Sequence, residues 1–302
     1  MQMKYIFLPI LIFTFFCCGP LFSQQYVNLS VDNDLYFNRD WYYSSGIFIS
    51  FGKLREAKDQ KESFPQKYVH WTLGQEIYTP SKRHIRDVSK FDYPFGGWLF
   101  LESAFEKYHS ATSVWGASIK LGITGKASLA PFFQNLYHDK VLGLPDVTWE
   151  QALPQRLHTN FNVMHKKRLA LVNGLALLYE MFGNLGTQRI ATGGRLGLLL
   201  GSSKALSFLG NPLEMQSKAR AIYLGTRQEY RYHDYMISGS LFDNDAPFVL
   251  THIPYKNSIE LGFALYSQKW RFLSLWNSVS KDNGLQRGSR HYYLNISIAR
   301  FL

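Results

Sequence analysis

Ser258-Ile-Glu-Leu-Gly-Phe-Ala-Leu265 alternates without a break. Ile259, Leu261, Phe263 and Leu265 fall on one face of an extended chain; Ser258, Glu260, Gly262 and Ala264 fall on the other. Successive side chains of a strand point to opposite sides, so this is a strand with one apolar and one polar or small face. The same period recurs along the chain. Trp115, Ala117, Ile119, Leu121 and Ile123 alternate with Gly116, Ser118, Lys120 and Gly122. Leu157, Thr159, Phe161 and Val163 alternate with His158, Asn160 and Asn162. Tyr292, Leu294, Ile296 and Ile298 alternate with His291, Tyr293, Asn295 and Ser297. A soluble sandwich or a lipocalin-like barrel shares this pattern. Length separates them: runs of about 10 to 12 residues match tilted strands that cross a bilayer. The sequence also closes inside such a run, at Phe301-Leu302. Aromatic residues make up 16% of the chain, with 19 Tyr and 23 Phe, which suits the aromatic girdles of an outer-membrane barrel.

The expected fold class is therefore all-β: a twelve-stranded antiparallel transmembrane β-barrel with a short helix in an extracellular loop. Strands are expected over 26–34, 44–54, 67–78, 96–107, 112–123, 154–165, 168–181, 190–201, 218–230, 252–266, 270–280 and 291–302, an even number as bacterial barrels require. Lys4 followed by the apolar run Tyr5 to Phe16, with Ser23 before Gln24, reads as a secretory signal peptide over 1–23. The mature barrel would then span 24–302 in the bacterial outer membrane. Both cysteines, Cys17 and Cys18, lie inside the signal, so no disulfide or thiolate metal site is available. The net charge of +11 is spread along the chain without a basic arm. That gives no sign of nucleic-acid binding and makes anionic lipid headgroups the natural partner.

With both termini in the periplasm, 35–43, 79–95, 124–153 and 231–251 are outer loops, and 108–111, 166–167 and 267–269 are inner turns. The inner connections near 55–66 and 202–217 are long for a barrel. The first outer loop is unusually polar at both ends: Asp32-Asn-Asp34 enters it and Asp40-Trp-Tyr-Tyr-Ser-Ser-Gly46 leaves it. Acids, an amide and hydroxyls across one loop form an oxygen set suited to a hard cation such as calcium. A polar turn rich in Asn and Asp is the plainer reading of the same residues. The third outer loop is too long for a passive connection. Ser128 is placed to cap a helix over 128–140, with Gln134 and His138 four apart on one face. Topology brings His138 to the same rim as Asn33, Asp34 and Ser44.

This rim suits ester hydrolysis by water. Imidazole is a competent base near neutral pH, and calcium can polarise the ester carbonyl. Asp34 would be a metal ligand, Asn33 a ligand or oxyanion donor, and Ser44 would orient the metal or the attacking water. Ser44 as a nucleophile activated by His138 ranks lower, because the sequence shows no evident carboxylate to orient the imidazole. No Gly-x-Ser-x-Gly or His-Glu-x-x-His motif occurs.

At these residues the chain resembles the outer-membrane lipid A 3-O-deacylase family. Asn33-Asp34 and Asp40-Trp-Tyr-Tyr43-Ser44-Ser-Gly46 match that family's Asn-Asp and Asp-x-x-Tyr-Thr-x-Gly, with Ser for Thr. Gln75-Glu-Ile-Tyr-Thr-Pro80, Gly122-Ile-Thr-Gly125, Gln134-Asn-Leu-Tyr-His138 and Trp149-Glu-Gln151 follow in the family's order. The resemblance covers 32–151. It implies calcium-dependent removal of the 3-O-linked acyl chain from lipid A in lipopolysaccharide. The site would lie between the barrel wall and a loop helix and use Asn33, Asp34, Ser44 and His138. A family glutamate just after the histidine falls at Leu144 here; Asp139, Asp146 and Glu150 are the neighbouring acids. A family lysine after the Tyr-x-Pro segment lacks a direct counterpart, but Lys82, Arg83 and Arg86 lie close enough for a lipid A phosphate. Two rivals remain at this stage: an outer-membrane phospholipase acting on glycerophospholipids, and a porin or transport barrel without catalysis.

Overall fold

The computed structural model describes residues 24–37, 39–56, 64–214 and 217–302. The expected signal peptide, with Cys17 and Cys18, lies outside the described residues. Twelve antiparallel strands close into one barrel. They are β1 (Gln25–Asn33), β2 (Tyr42–Glu56), β3 (Gln66–Thr79), β4 (Gly96–Ser110), β5 (Ser113–Thr124) and β6 (Leu157–Val172). There follow β7 (Leu175–Gly186), β8 (Arg189–Gly201), β9 (Ala219–Asp234), β10 (Tyr255–Tyr266), β11 (Trp270–Ser280) and β12 (Arg290–Phe301). Each pairs with its sequence neighbours, and β1 closes on β12 with Leu29 opposite Ile298. Closure leaves no unpaired edge, which a hydrocarbon environment demands of any sheet.

The burial pattern is the reverse of a soluble fold. On β10 the apolar residues Ile259, Leu261, Phe263 and Leu265 are exposed, while Lys256, Ser258 and Glu260 are buried. Trp115 and Phe161 are likewise exposed; Ile296 is half-buried beside exposed Ile298. The polar faces line a lumen crossed by ion pairs. Arg195 bridges Glu260 at 3.0 Å and Glu180 at 3.4 Å, and Arg231 meets Glu229 at 2.6 Å. Apolar outside and charged inside is stable only with lipid around the wall. Among the described residues no helix is long and apolar enough to cross a membrane; the strands do it. Arginine in place of Leu261, mid-strand and outward, is expected to cost about 2–4 kcal/mol of stability in bilayers. Reversible denaturant unfolding in liposomes measures this, and a near-neutral result would contradict the lipid-facing assignment.

Two connections depart from expectation. The inner turn expected at 166–167 is not there: β6 runs on to Val172, and the hairpin turns at Asn173-Gly174, with Gly174 at φ 78°. Lys166, which looked like turn chemistry, is a buried lumen residue 3.8 Å from Glu106. The long β8–β9 connection folds back into the periplasmic half of the lumen. Leu206, Phe208 and Leu213 are buried there, and Phe208 stacks on Tyr223 at 4.7 Å. Tyr108 donates to Glu214 at 2.7 Å, and Arg271 donates to the Gly210 carbonyl at 2.7 Å. Its length serves to plug the barrel.

The β5–β6 loop carries the expected helix, slightly displaced. A 3-10 turn spans Gly125–Ser128, α1 spans Ala130–Tyr137, and a π-helical turn runs over His138–Leu142. The Ser128 hydroxyl oxygen accepts the first N–H of α1, that of Ala130, at 3.3 Å and donates to Gly125 O at 2.6 Å, while Leu129, left-handed at φ 60°, occupies the position just before the helix. A second short helix, α2 (Tyr235–Ser238), opens the β9–β10 loop.

Candidate active site

Gln75 and Ile77 alternate with Gly74, Glu76 and Tyr78, and Glu76 and Tyr78 line the lumen. Gln75 and Ile77 therefore point outward, yet both are buried. What covers them is the β5–β6 loop: the Gln75 amide donates to Ser128 O at 2.6 Å. A pocket of polar residues thus lies outside the barrel wall, at the outer rim, under α1.

His138 enters this pocket from the end of α1 and is 1% exposed. Gln134, one turn earlier, is buried on the same face, as the spacing predicted. The His138 Nε2 lies 2.8 Å from Asp40 Oδ2, and Nδ1 lies 3.3 Å from the Pro145 carbonyl. A neutral imidazole carries one N–H. Directing that N–H at Asp40 leaves Nδ1 facing the Pro145 carbonyl, which can only accept, so Nδ1 offers a lone pair to a substrate only once that carbonyl is displaced. Arg83 forms an ion pair with the same Asp40 oxygen at 3.0 Å. Thr79 steadies the segment by donating to Asp40 O at 3.3 Å.

Asp34 sits beside this pair, fully buried. Its Oδ2 accepts the Trp41 N–H at 3.0 Å, and its own N–H reaches Ser44 O at 3.4 Å. Its Oδ1 is buried without a hydrogen-bond partner. Burial pushes the Asp34 carboxyl well above the usual carboxylate range; the Trp41 N–H opposes this, neighbouring Asp40 adds to it, and Arg83 offsets part. The turn is held tightly. Tyr42 is left-handed at φ 63°, with its hydroxyl donating to Asp92 at 2.8 Å and accepting the Arg287 N–H at 2.6 Å.

Asp34 and Ser44 thus flank the turn that carries Asp40, the partner of His138. Asn33 adjoins it, but its side-chain oxygen accepts the Leu35 N–H at 2.7 Å and closes its own turn. Ser44 is buried and its hydroxyl donates to Ile77 O at 3.5 Å; among the described residues no hydrogen bond joins it to His138. Of the three cations expected at a phosphate, Arg83 is turned onto Asp40, while Lys82 and Arg86 are exposed. Sequence reasoning missed the carboxylate that holds the imidazole. It is Asp40. The signal was present, since Asp40 heads the quoted motif, but its partner lies in another loop.

Among the described residues no cluster of three or more His, Cys, Asp or Glu side chains is placed to hold a metal. A cation here would have Asp34 as its single carboxylate. The orphaned, buried Asp34 Oδ1 fits such a role, because a hard cation fills its shell with neutral oxygens and water around few acids.

The profile of the family described as outer membrane protein LpxR matches residues 8–299. The chain belongs to the LpxR family. LpxR from Salmonella typhimurium has a similar structure, with a TM-score of 0.76 at 16% identity, covering 92% of this chain and 100% of that one. The beta domain of the Bordetella autotransporter BrkA aligns at a TM-score of 0.46 and 12% identity, over 92% of this chain and 98% of its own. The comparison with curated proteins finds no match. Membership agrees with the resemblance seen at residues 32–151 and extends it across the C-terminal strands. The LpxR-family barrel is thus an outer-membrane protein with its polar pocket on the outer face of the wall.

Proposed function

We propose that this barrel hydrolyses the 3-O-linked acyl ester of lipid A, with His138 as base and calcium as cofactor. The observation that carries the reading is the Asp40–His138 pair beside the orphaned Asp34 oxygen, outside the wall where lipid lies. Asp40 fixes the imidazole so that Nδ1 takes a proton from water as its oxygen attacks the ester carbon. The acyl C–O bond then breaks, and His138 returns the proton to the sugar oxygen that leaves. The products are a free fatty acid and a sugar hydroxyl. Asp34, with Asn33 beside it, would hold the calcium, which when bound supplies positive charge to the carbonyl oxygen. Ser44 positions the water. The newly found Asp40 also suits a Ser44 nucleophile, but the serine hydroxyl points to Ile77 O and not to the imidazole. Lys82 and Arg86, exposed near the pocket, are placed to meet a lipid A phosphate.

The transport reading loses support from the plug, since Leu206, Phe208 and Leu213 fill the periplasmic half of the lumen. The phospholipase reading shares the chemistry and differs in headgroup. Purified protein offered lipid A and phosphatidylethanolamine in the same mixed micelles separates the two. The proposal expects fatty acid from lipid A; release from the phospholipid alone would replace it.

The raised Asp34 carboxyl adds a pH signature. A carboxyl that titrates higher in the folded than in the unfolded state makes folding less favourable as pH rises through that interval. In chelator, the wild type should therefore lose thermal stability relative to Asp34→Asn as pH rises. Calcium should restore the wild type's lost stability, because binding requires the ionised form. Parallel melting curves of the two proteins across pH, without a calcium effect, would contradict a cation at Asp34.

A further inference from the structure

Helix α1 is inside out. Ala130, Gln134 and His138 face the wall and are buried, while Phe132, Phe133, Leu136 and Val141 face away and are 60%, 44%, 42% and 65% exposed. An apolar patch of this kind is unfavourable in water. The strands beneath carry the same inversion: Leu73, Leu101 and Leu121 are about half exposed on the outer surface. Helix α1 rests on that surface. Gly97 of β4 is packed so closely under it that a Cβ there would come 2.2 Å from the Cβ of Ala130. The apolar face of α1 therefore continues the lipid-facing belt of the barrel. The segment's polar residues, Lys126 before it and Asp139 and Lys140 after it, are exposed at its two ends.

A groove runs along this segment with Pro131, Phe132, Leu136, Leu144 and Pro145 as its apolar lining and Asn135, Asp139 and Asp146 as its polar lining. Its lining matters for chemistry, because the Pro145 carbonyl stands against His138 Nδ1. Asp34, Ser44 and His138 are each at most 2% exposed, so the site as described is shut. We propose that the groove takes an acyl chain of an outer-leaflet lipid, and that seating the chain moves Pro145 off the imidazole and opens the site. The lid then opens at a lipid surface and stays closed in water. The groove's contact with lipid stands on the fold alone; the coupling to His138 rests on the hydrolase reading above.

The test uses the full mature barrel, whose sequence after residue 23 contains no cysteine. Phe132→Cys and Val141→Cys carry a nitroxide in liposomes containing lipid A, with Phe161→Cys as the lipid-facing control and Asn244→Cys as the aqueous one. Collision with oxygen should exceed collision with a water-soluble nickel chelate at 132 and 141, as at 161. A pattern like that at 244 would overturn the groove. For the coupling, Phe132→Ser with Leu136→Ser should lower the rate on bilayer-borne lipid A about ten-fold, matching the loss of buried apolar contact. A water-soluble short-chain ester, met by a closed lid, should be cleaved slowly and at the same rate by the wild type and this double variant, and Phe132→Leu should remain close to wild type. Equal loss on both esters, or no loss on either, would overturn the coupling. If the wild type cleaves neither ester, the hydrolase reading and the coupling fail together, while the nitroxide result still decides the lipid contact.

Discussion

Replacing His138 by alanine is expected to lower the hydrolytic rate by about 10²–10⁴-fold with the barrel intact, the usual contribution of a positioned general base. The side chain lies outside the wall, in the loop over the rim, so its loss leaves the ladder of β1 to β12 untouched. Asp40→Asn should lose less. The amide keeps the size but can accept the imidazole N–H only through its oxygen, and it removes the charge that steadies the imidazolium formed during reaction. Ser44→Ala should fall less than His138→Ala if water is the nucleophile. The opposite order, or an acyl group trapped on Ser44, would mean covalent catalysis instead. Single-turnover release of fatty acid, with heat-modifiable gel mobility as the check on folding, measures all three. A folded His138→Ala protein working at full rate would remove the site assignment.

The second large effect is expected at Asp34. Asp34→Ala should abolish the calcium dependence and reduce the rate by about 10²–10³-fold, the scale reported for losing one group that stabilises an oxyanion. The physical reason lies in its isolation. Its Oδ2 accepts the Trp41 N–H and lies 3.8 Å from His291 Nε2, but its Oδ1 is buried without a hydrogen-bond partner among the described residues, so removing the side chain takes away both a charge and a free ligand atom. Calcium titration of activity in wild type and variant checks this. A variant that retains wild-type activity in chelator would show that no cation acts there.

The barrel was legible because a strand that faces lipid on one side and a polar lumen on the other must alternate, as Ile259 to Leu265 and Trp115 to Ile123 do, and because the runs are long enough to cross a bilayer. The errors arose where one residue type serves two purposes. Lys166-Lys167 reads as a turn, but a wide lumen accepts Lys166 once Glu106 comes from another strand. The plug was invisible for a related reason: Leu206, Phe208 and Leu213 lie in a connection without periodicity, and only the closed barrel creates the cavity they fill. In the site, the Asn33-Asp34 turn, Ser44 and the Gln134–His138 face were all legible, since each is a local pattern. Asp40 as the partner of His138 was not, because their contact depends on how far α1 leans over the rim. Arg83 was read as a phosphate ligand because a surface cation and a cation turned inward onto Asp40 look alike in sequence.

The measurement closest to the central claim is the mass of lipid A extracted from cells that carry the wild-type barrel, compared with cells that carry His138→Ala, each with calcium and with chelator. The proposal predicts a species lighter by the 3-O-linked acyl chain with the wild type in calcium, and unaltered lipid A in the other three conditions. Unaltered lipid A in all four, or the same loss with His138→Ala, would contradict it.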